Sequence, residues 1–540
     1  MPPLPEEFPL GVSVLRWAVM CISVMWDRRW GRTVSLTGLM CIALTGFTAC
    51  SSPPPSNMLV VAVESSPMTL DPRFATDAYS ERLTQLLYGS LVRVDAALQV
   101  VPELAESWSR PDPLTYRFVL RRGVKFHDAR ELTAEDVRYT FASILDPATA
   151  SPYRSLYGMI DRMTVRGPYE IEFHLSKPHA PFLVNLVRGI VPAHLAVKRE
   201  EFARRPVGSG PFRLVRWAPD ERVELAAFGD YYGGAPVIDG VTVRIIPDET
   251  IRLLELQKGN VDFVQNAVTP EVLPLLAGSG RFHVVTSPSA TYTYLGFNLR
   301  DPHLADVRVR RAIAAAIDRS TIIRTLLGGL ADEATGLLPP AHWAYEPGVT
   351  RYDYDPARAR RLLDEAGLVD PDGAGPKPRL SLTLDTSQNE LARRIAEVIQ
   401  QQLAQIGIDL TIRSHEWGAF YADIKAGRFQ LYTLSWVGVV EPDLYYEIFH
   451  SSSLPPAGSN RNGYINPAVD RLLERGRLTD SITERRAVYG EIQRIVAGDL
   501  PYVSLWYPRN VVVLSERVEG FVPSPSGDWS ALARVRLKRP

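Results

Sequence analysis

The side chains suited to nucleophilic or metal chemistry are sparse and unevenly placed. The 540-residue chain has three cysteines, Cys21, Cys41 and Cys50, and none lies beyond residue 50. Residues 51–540 can therefore form no disulfide and offer no thiolate to zinc or iron–sulfur. Nine histidines stand at 127, 174, 179, 194, 283, 303, 342, 415 and 450, and no two share ligand spacing on one strand or helix. No metal is expected. The patterns G-x-S-x-G, G-x-x-x-x-G-K-[ST] and H-E-x-x-H are absent. Ser209 lies between Gly208 and Gly210 but lacks the spacing of a nucleophile elbow. The 61 acidic residues are expected to be solvated surface rather than a catalytic pair. Neither an enzyme nor a cofactor is expected.

Composition is that of a globular chain, 46% hydrophobic and 22% charged, long enough for roughly three domains. A net charge of -1 argues against nucleic acid as a partner. The N-terminus reads as an export segment. "WDRRWGR" (Trp26 to Arg32) is a basic stretch, and "TVSLTGLMCIALTGF" (Thr33 to Phe47) is an uncharged, mostly apolar run. That run is short of the ~20 residues of a membrane span and suits a signal-peptide core. Phe47-Thr48-Ala49-Cys50 resembles a bacterial lipoprotein cleavage site, with Phe47 where leucine is commonest. The resemblance implies a signal segment over 1–50 and a lipid on Cys50, which becomes the mature N-terminus. A plain secretory signal is the alternative. Residues 1–24 fit neither pattern, and a start at Met25 would account for them. "SSPPPSN", residues 51–57, reads as a tether.

The body alternates strand and helix patterns. Met58 opens a β-type run, and "TYRFVL" (Thr115 to Leu120) and "YEIEFHL" (Tyr169 to Leu175) alternate as strands. Thr133, with Glu135 and Asp136 behind it, predicts a helix start. Apolar Val309, Ile313, Ala316 and Ile317 predict one amphipathic helix over Asp306 to Leu327. Asp355, Pro356 and Gly367 mark the cap, first turn and stop of another. "RLSLTLDT", a helix over Glu390 to Gly407, and "IDLTIRSHEW" predict a βαβ unit with parallel strands.

Four longer motifs then stand out. They are Leu104 to Phe141, with Arg122-Gly123, Phe126-His127-Asp128 and Thr133-Ala134-Glu135-Asp136, then Pro206 to Ile246, Tyr294 to Arg319, and Leu434 to Ser453. Their order and spacing over residues 58–525 resemble the extracellular solute-binding proteins of peptide- and nickel-type ABC transporters. Gly208, Gly210 and Gly233 read as turns within the second motif, and Pro211 and Pro236 as rigid corners. The resemblance implies an α/β fold, a type II two-lobe periplasmic-binding-protein clamp with an additional domain. Lobe I would be discontinuous (58–75, 206–288 and 511–540), the inserted domain 76–205, and lobe II 289–510. Ligand would bind between the lobes and favour closure. A membrane permease and its ATPase would be the partners of a monomer.

The resemblance also implies where ligand would sit. Trp417 and Trp436 fall where peptide binders place aromatic walls, and the main chain of Val437, Gly438 and Val439 would pair with an extended ligand. Tyr292, Tyr294, Thr76, Asp77 and Ala78 are further candidates. Two departures stand out. The aspartate that commonly holds a peptide's ammonium is matched by Val439, with Glu441 and Asp443 beyond it around Pro442. The arginines that take a carboxylate in oligopeptide binders are matched by Ile424 and Thr433. A buried ammonium without a carboxylate is costly, so either Glu441 or Asp77 substitutes or the ligand lacks a free amine. Peptide is the default ligand; an opine, a sugar or a metal chelate such as nickel is the alternative, with His415 nearest the cleft segment. A non-transport envelope receptor is the remaining class.

Overall fold

The computed structural model describes residues 57–373, 375–456 and 458–538. The expected signal segment, Cys50 and all but the end of the 51–57 tether lie outside the described residues.

The body is organised by one twelve-stranded sheet whose two halves share a single long strand. Its main path runs Ile408–His415, Leu380–Ser387, Leu431–Trp436, Tyr292–Phe297, Tyr502–Ser515, Phe263–Gln265, Met58–Val63, Gly240–Ile245, Arg222–Ala227 and Phe212–Ala218. The 14-residue strand Tyr502–Ser515 belongs to both halves. Its start pairs with Tyr292–Phe297, and its end pairs with Phe282–Pro288 and Phe263–Gln265. Alternation explains this double role. Buried Val503 and Leu505 feed one core, while buried Val512 and Leu514 feed the other.

The predicted βαβ unit forms at one edge. Leu380–Ser387 and Ile408–His415 pair in parallel from Leu380↔Ile408 to Ser387↔His415. The helix between them, Glu390–Ala404, is capped by Asn389, whose side chain accepts from the Ala392 amide at 3.0 Å. It buries Ile395, Ala396, Ile399 and Leu403. Gly407, at φ 82°, turns the chain into the next strand.

The helix expected over Asp306 to Leu327 is corrected to two, Val307–Ala316 and Arg319–Thr325. Asp318 is the reason. Its carboxylate accepts from the Thr321 amide at 2.9 Å, so it starts a new helix rather than continuing the old one.

A separate antiparallel sheet, ordered Ala105–Asp112, Thr115–Leu120, Glu170–Leu175, Ile160–Gly167, has its own core around Phe118, Phe141, Phe173 and Phe182. The predicted helix Ala134–Leu145 packs on it, and the Thr133 amide donates to Asp136 at 2.9 Å. This core draws on residues from Leu91 to Ile190, whereas Tyr79, Leu83, Val191 and Phe202 pack with the first half of the large sheet.

The glycines that read as turns act otherwise. A Cβ on Gly208 would lie 1.9 Å from the Leu87 carbonyl oxygen, and one on Gly210 would lie 2.4 Å from that of Leu86. They permit close backbone approach and hold Ser209 fully buried between them. At Gly233 a Cβ would strike the Tyr231 ring, and the positive φ falls on Gly234.

Candidate ligand cleft

The strand Leu431–Trp436 runs antiparallel to Tyr292–Phe297, with Trp436 opposite Tyr292. Trp436 therefore closes the strand where the chain leaves the sheet. Trp417 opens the helix Trp417–Lys425, capped by Glu416, which accepts from the Gly418 amide at 2.7 Å. A residue in a first turn projects from the helix end, and Trp417 is 55% exposed. Its indole stacks on Tyr421 at 5.7 Å and 10°. The Arg461 guanidinium sits 5.1 Å from the Tyr421 ring and 5.0 Å from that of Trp436. Trp417, Tyr421, Arg461 and Trp436 thus form one continuous aromatic–cation wall.

The neighbouring main chain divides in two. Val437 is 70% exposed, and Gly438 has φ 71°. Val439 turns inward, 1% exposed, and its amide donates to the Ala290 carbonyl at 2.7 Å. That amide is already engaged, and the side chain packs with the aromatic core of this half. Tyr292 and Tyr294 are also interior. The Tyr292 hydroxyl meets Ser504 at 2.8 Å, and Tyr294 stacks on Tyr502 at 3.9 Å. Burial pushes both phenols well above their ordinary pKa. Tyr292 lines a cavity of about 290 Å³ together with Thr335, Tyr445, Gln493, Tyr502 and Ser504; neither Trp417 nor Trp436 reaches it.

The acids near the wall have partners. Asp443 makes a two-point ion pair with Arg477, at 2.7 and 2.9 Å. Glu441 pairs with Arg485. Burial pushes both carboxyls up and the arginines oppose it. Asp77 caps the helix Ala78–Leu87, accepting from the Tyr79 and Ser80 amides, while Thr76 and Ala78 are exposed beside it. Asp77→Ala is accordingly expected to lower stability by about 1 kcal/mol and leave ligand affinity unchanged, as calorimetric unfolding and titration would show. His415 hydrogen-bonds Asp385 at 3.1 Å, and Asp385 also binds Arg413 at 2.6 Å. Among the described residues, no three His, Cys, Asp or Glu side chains gather to hold a metal.

Ile424 is fully buried and Thr433 half-buried, so neither position supplies a cation. The cations beside the wall are Lys425, whose Nζ lies 4.9 Å from the Tyr421 ring, and Arg461, from "SNRNGY". Flanking amides fix Arg461 there: Asn460 donates to the Tyr464 carbonyl at 2.7 Å and Asn462 to that of Pro501 at 2.9 Å. No periodicity marks such a loop; the only sequence signal is a cation between two amide side chains.

A sheet in two halves joined by a shared strand, a third body on one half, and an aromatic wall at a strand end define a two-lobed solute-binding clamp of type II. Residues 99–454 match the model described as bacterial extracellular solute-binding proteins, family 5 Middle. The chain belongs to that family. It is 31% identical to the oligopeptide-binding protein AppA of Bacillus subtilis (strain 168) over 535 residues, 93% of this chain and 98% of that protein. The structure of AppA in complex with a nonapeptide superposes with a TM-score of 0.77, at 31% identity, over 90% of this chain and all of the other. NikZ from Campylobacter jejuni in complex with Ni(L-His) superposes with a TM-score of 0.78, at 25% identity, over 89% of this chain and all of the other.

Proposed function

We propose that this chain is the extracytoplasmic substrate-binding subunit of an ABC importer, and that it captures a peptide between its lobes for a membrane permease and ATPase. The observation that carries the reading is the wall of Trp417, Tyr421, Arg461 and Trp436 beside exposed Val437. Flat aromatic faces accept varied side chains. The peptide-binding relative spanning nearly the whole chain supports it. The protein acts without catalysis, as a monomer, anchored by a lipid on Cys50. Lobe I comprises 58–75, 206–288 and 511–540, lobe II comprises 289–510, and an inserted domain within 76–205 carries the four-stranded sheet.

Glu441, Asp443 and Asp77 are each already bound within the chain. The peptide is therefore held chiefly by its main chain and side chains, with no dedicated carboxylate for its ammonium. Native mass spectrometry of protein purified without refolding tests the reading. A ladder of bound masses at amino-acid increments is the expected result; a single non-peptide or metal-bearing mass would replace the peptide with an opine, a sugar or a chelate. Trp436→Ala is expected to weaken peptide binding about tenfold, measured by titration calorimetry.

A further inference from the structure

The cavity of about 290 Å³ in the proposed lobe II takes no residue from the aromatic wall. Its floor is apolar and aromatic: Tyr445, Phe449, Val496 and Leu500 line it and are buried. Polar side chains that reach it from within are already matched. The Tyr292 hydroxyl meets Ser504 at 2.8 Å, and Gln493 donates to the Ala344 and Tyr489 carbonyls at 2.8 and 2.9 Å. Arg319 donates to the Ala334, Ser504 and Tyr352 carbonyls. The interior therefore favours an apolar group over a polar one. The volume is about twice the ~150 Å³ that holds a benzene ring, so a ring or a branched chain fits with room for a short polar arm.

The rim differs from the floor. Arg351 and Asp353 line the cavity and are exposed, two residues apart and opposite in charge. Neither makes a hydrogen bond or an ion pair among the described residues. The other two charges of this lining that lie near each other, Arg319 and Glu333, pair at 3.3 Å. An apolar pocket whose rim keeps one free cation and one free anion is complementary to a bulky apolar group with a zwitterionic head. We propose that this cavity is a second binding site, for a free amino acid with a large apolar side chain. The side chain lies inward, the carboxylate faces Arg351 and the ammonium faces Asp353. The site does not depend on what the cleft holds, because the two share no wall residue.

Titration calorimetry of the full chain with L-phenylalanine, L-leucine and glycine tests the proposal. The first two are expected to bind, and glycine, which brings no apolar side chain, to give no heat. Phenethylamine and 3-phenylpropionate each lack one of the two charges and are expected to bind about threefold more weakly than L-phenylalanine. Gly336 lines the cavity, and a Cβ there would meet only the Tyr445 hydroxyl, at 3.6 Å, so Gly336→Leu directs a side chain into the space. This variant is expected to unfold no earlier than wild type and to lose L-phenylalanine affinity about tenfold. Arg351→Gln and Asp353→Asn alter exposed side chains and are each expected to weaken L-phenylalanine about threefold. Equal affinity in wild type and a folded Gly336→Leu would place the amino acid elsewhere and overturn the site. If Gly336→Leu unfolds early, the rim variants decide, and unchanged affinity in both overturns it. No heat with either L-phenylalanine or L-leucine also overturns it. Phenethylamine or 3-phenylpropionate binding as tightly as L-phenylalanine reduces the cavity to an apolar void and overturns the amino-acid assignment.

Discussion

Val439→Asp is expected to destabilise lobe II by roughly 3–5 kcal/mol, the range for a buried charge left without a partner, rather than to create an ammonium anchor. The resemblance to peptide binders implies that position 439 matches the aspartate they commonly carry. In this chain its side chain is 1% exposed and packs among Tyr292, Phe420, Tyr445 and Phe449. The nearby cations Arg477 and Arg485 already serve Asp443 and Glu441. An aspartate at 439 would be buried without a counterion, and desolvation would raise its pKa. A carboxyl raised on folding contributes stability that is lost as pH rises, so the variant should be less impaired at pH 4 than at pH 7. Denaturant unfolding at the two pH values measures this. Wild-type stability together with tighter binding of free-amine peptides would show that residue 439 faces the ligand, and the placement of this loop would be wrong.

The same residue shows what sequence can and cannot reveal about the site. Local signals are legible: the cap at Asp355, the βαβ unit from Leu380 to His415 and the helix start at Thr133 each depend on a few adjacent residues. Motif order carries the fold class. The side a residue faces at a strand end is not legible, because it depends on where the alternation breaks. At Val437–Gly438–Val439 a positive φ reorients the chain and sends Val439 inward while Val437 stays out. Arg461 escapes sequence reasoning because its partners, Tyr421, Trp436 and the Tyr502 cluster, come from three distant segments. Asp318 reads as part of a helix face because apolar spacing continues across it, yet its side chain caps the second helix, Arg319–Thr325. Gly208 reads as a turn because glycine signals permissive dihedrals. Its cause is instead the Leu87 carbonyl, far away in the chain, which no local pattern announces.

Ligand affinity is expected to fall about 30-fold between pH 7.5 and pH 5 through a single histidine at the contact between the inserted domain and lobe II. The proposed inserted domain touches lobe II. The Ala180 amide donates to the Arg477 carbonyl at 2.8 Å, and Arg110 pairs with Asp480. Arg477 also grips Asp443, and Arg485 grips Glu441, so the contact bears on the loop that leaves Trp436. His179 is enclosed there, 5% exposed, and burial together with the charges of Arg477, Lys177 and Arg485 pushes its pKa down to about 3. Opening the clamp would return it toward the free value of about 6.5. A histidine depressed in the closed form favours closure fully above pH 6.5 and loses that contribution as pH falls from 6.5 toward 3. At pH 5 the open form is protonated about 30-fold over its neutral state, and ligand that requires closure loses affinity by about that factor. Glu441, Asp443 and Glu447 are raised by burial and act in the opposite sense, so the variant must isolate the histidine. His179→Gln keeps polar bulk without titrating and should flatten the profile between pH 7.5 and pH 5, read by calorimetric titration with one retained peptide. If wild type and His179→Gln trace the same pH curve, either His179 stays enclosed in the open form or the contact does not break on opening, and the inserted domain then moves with lobe II.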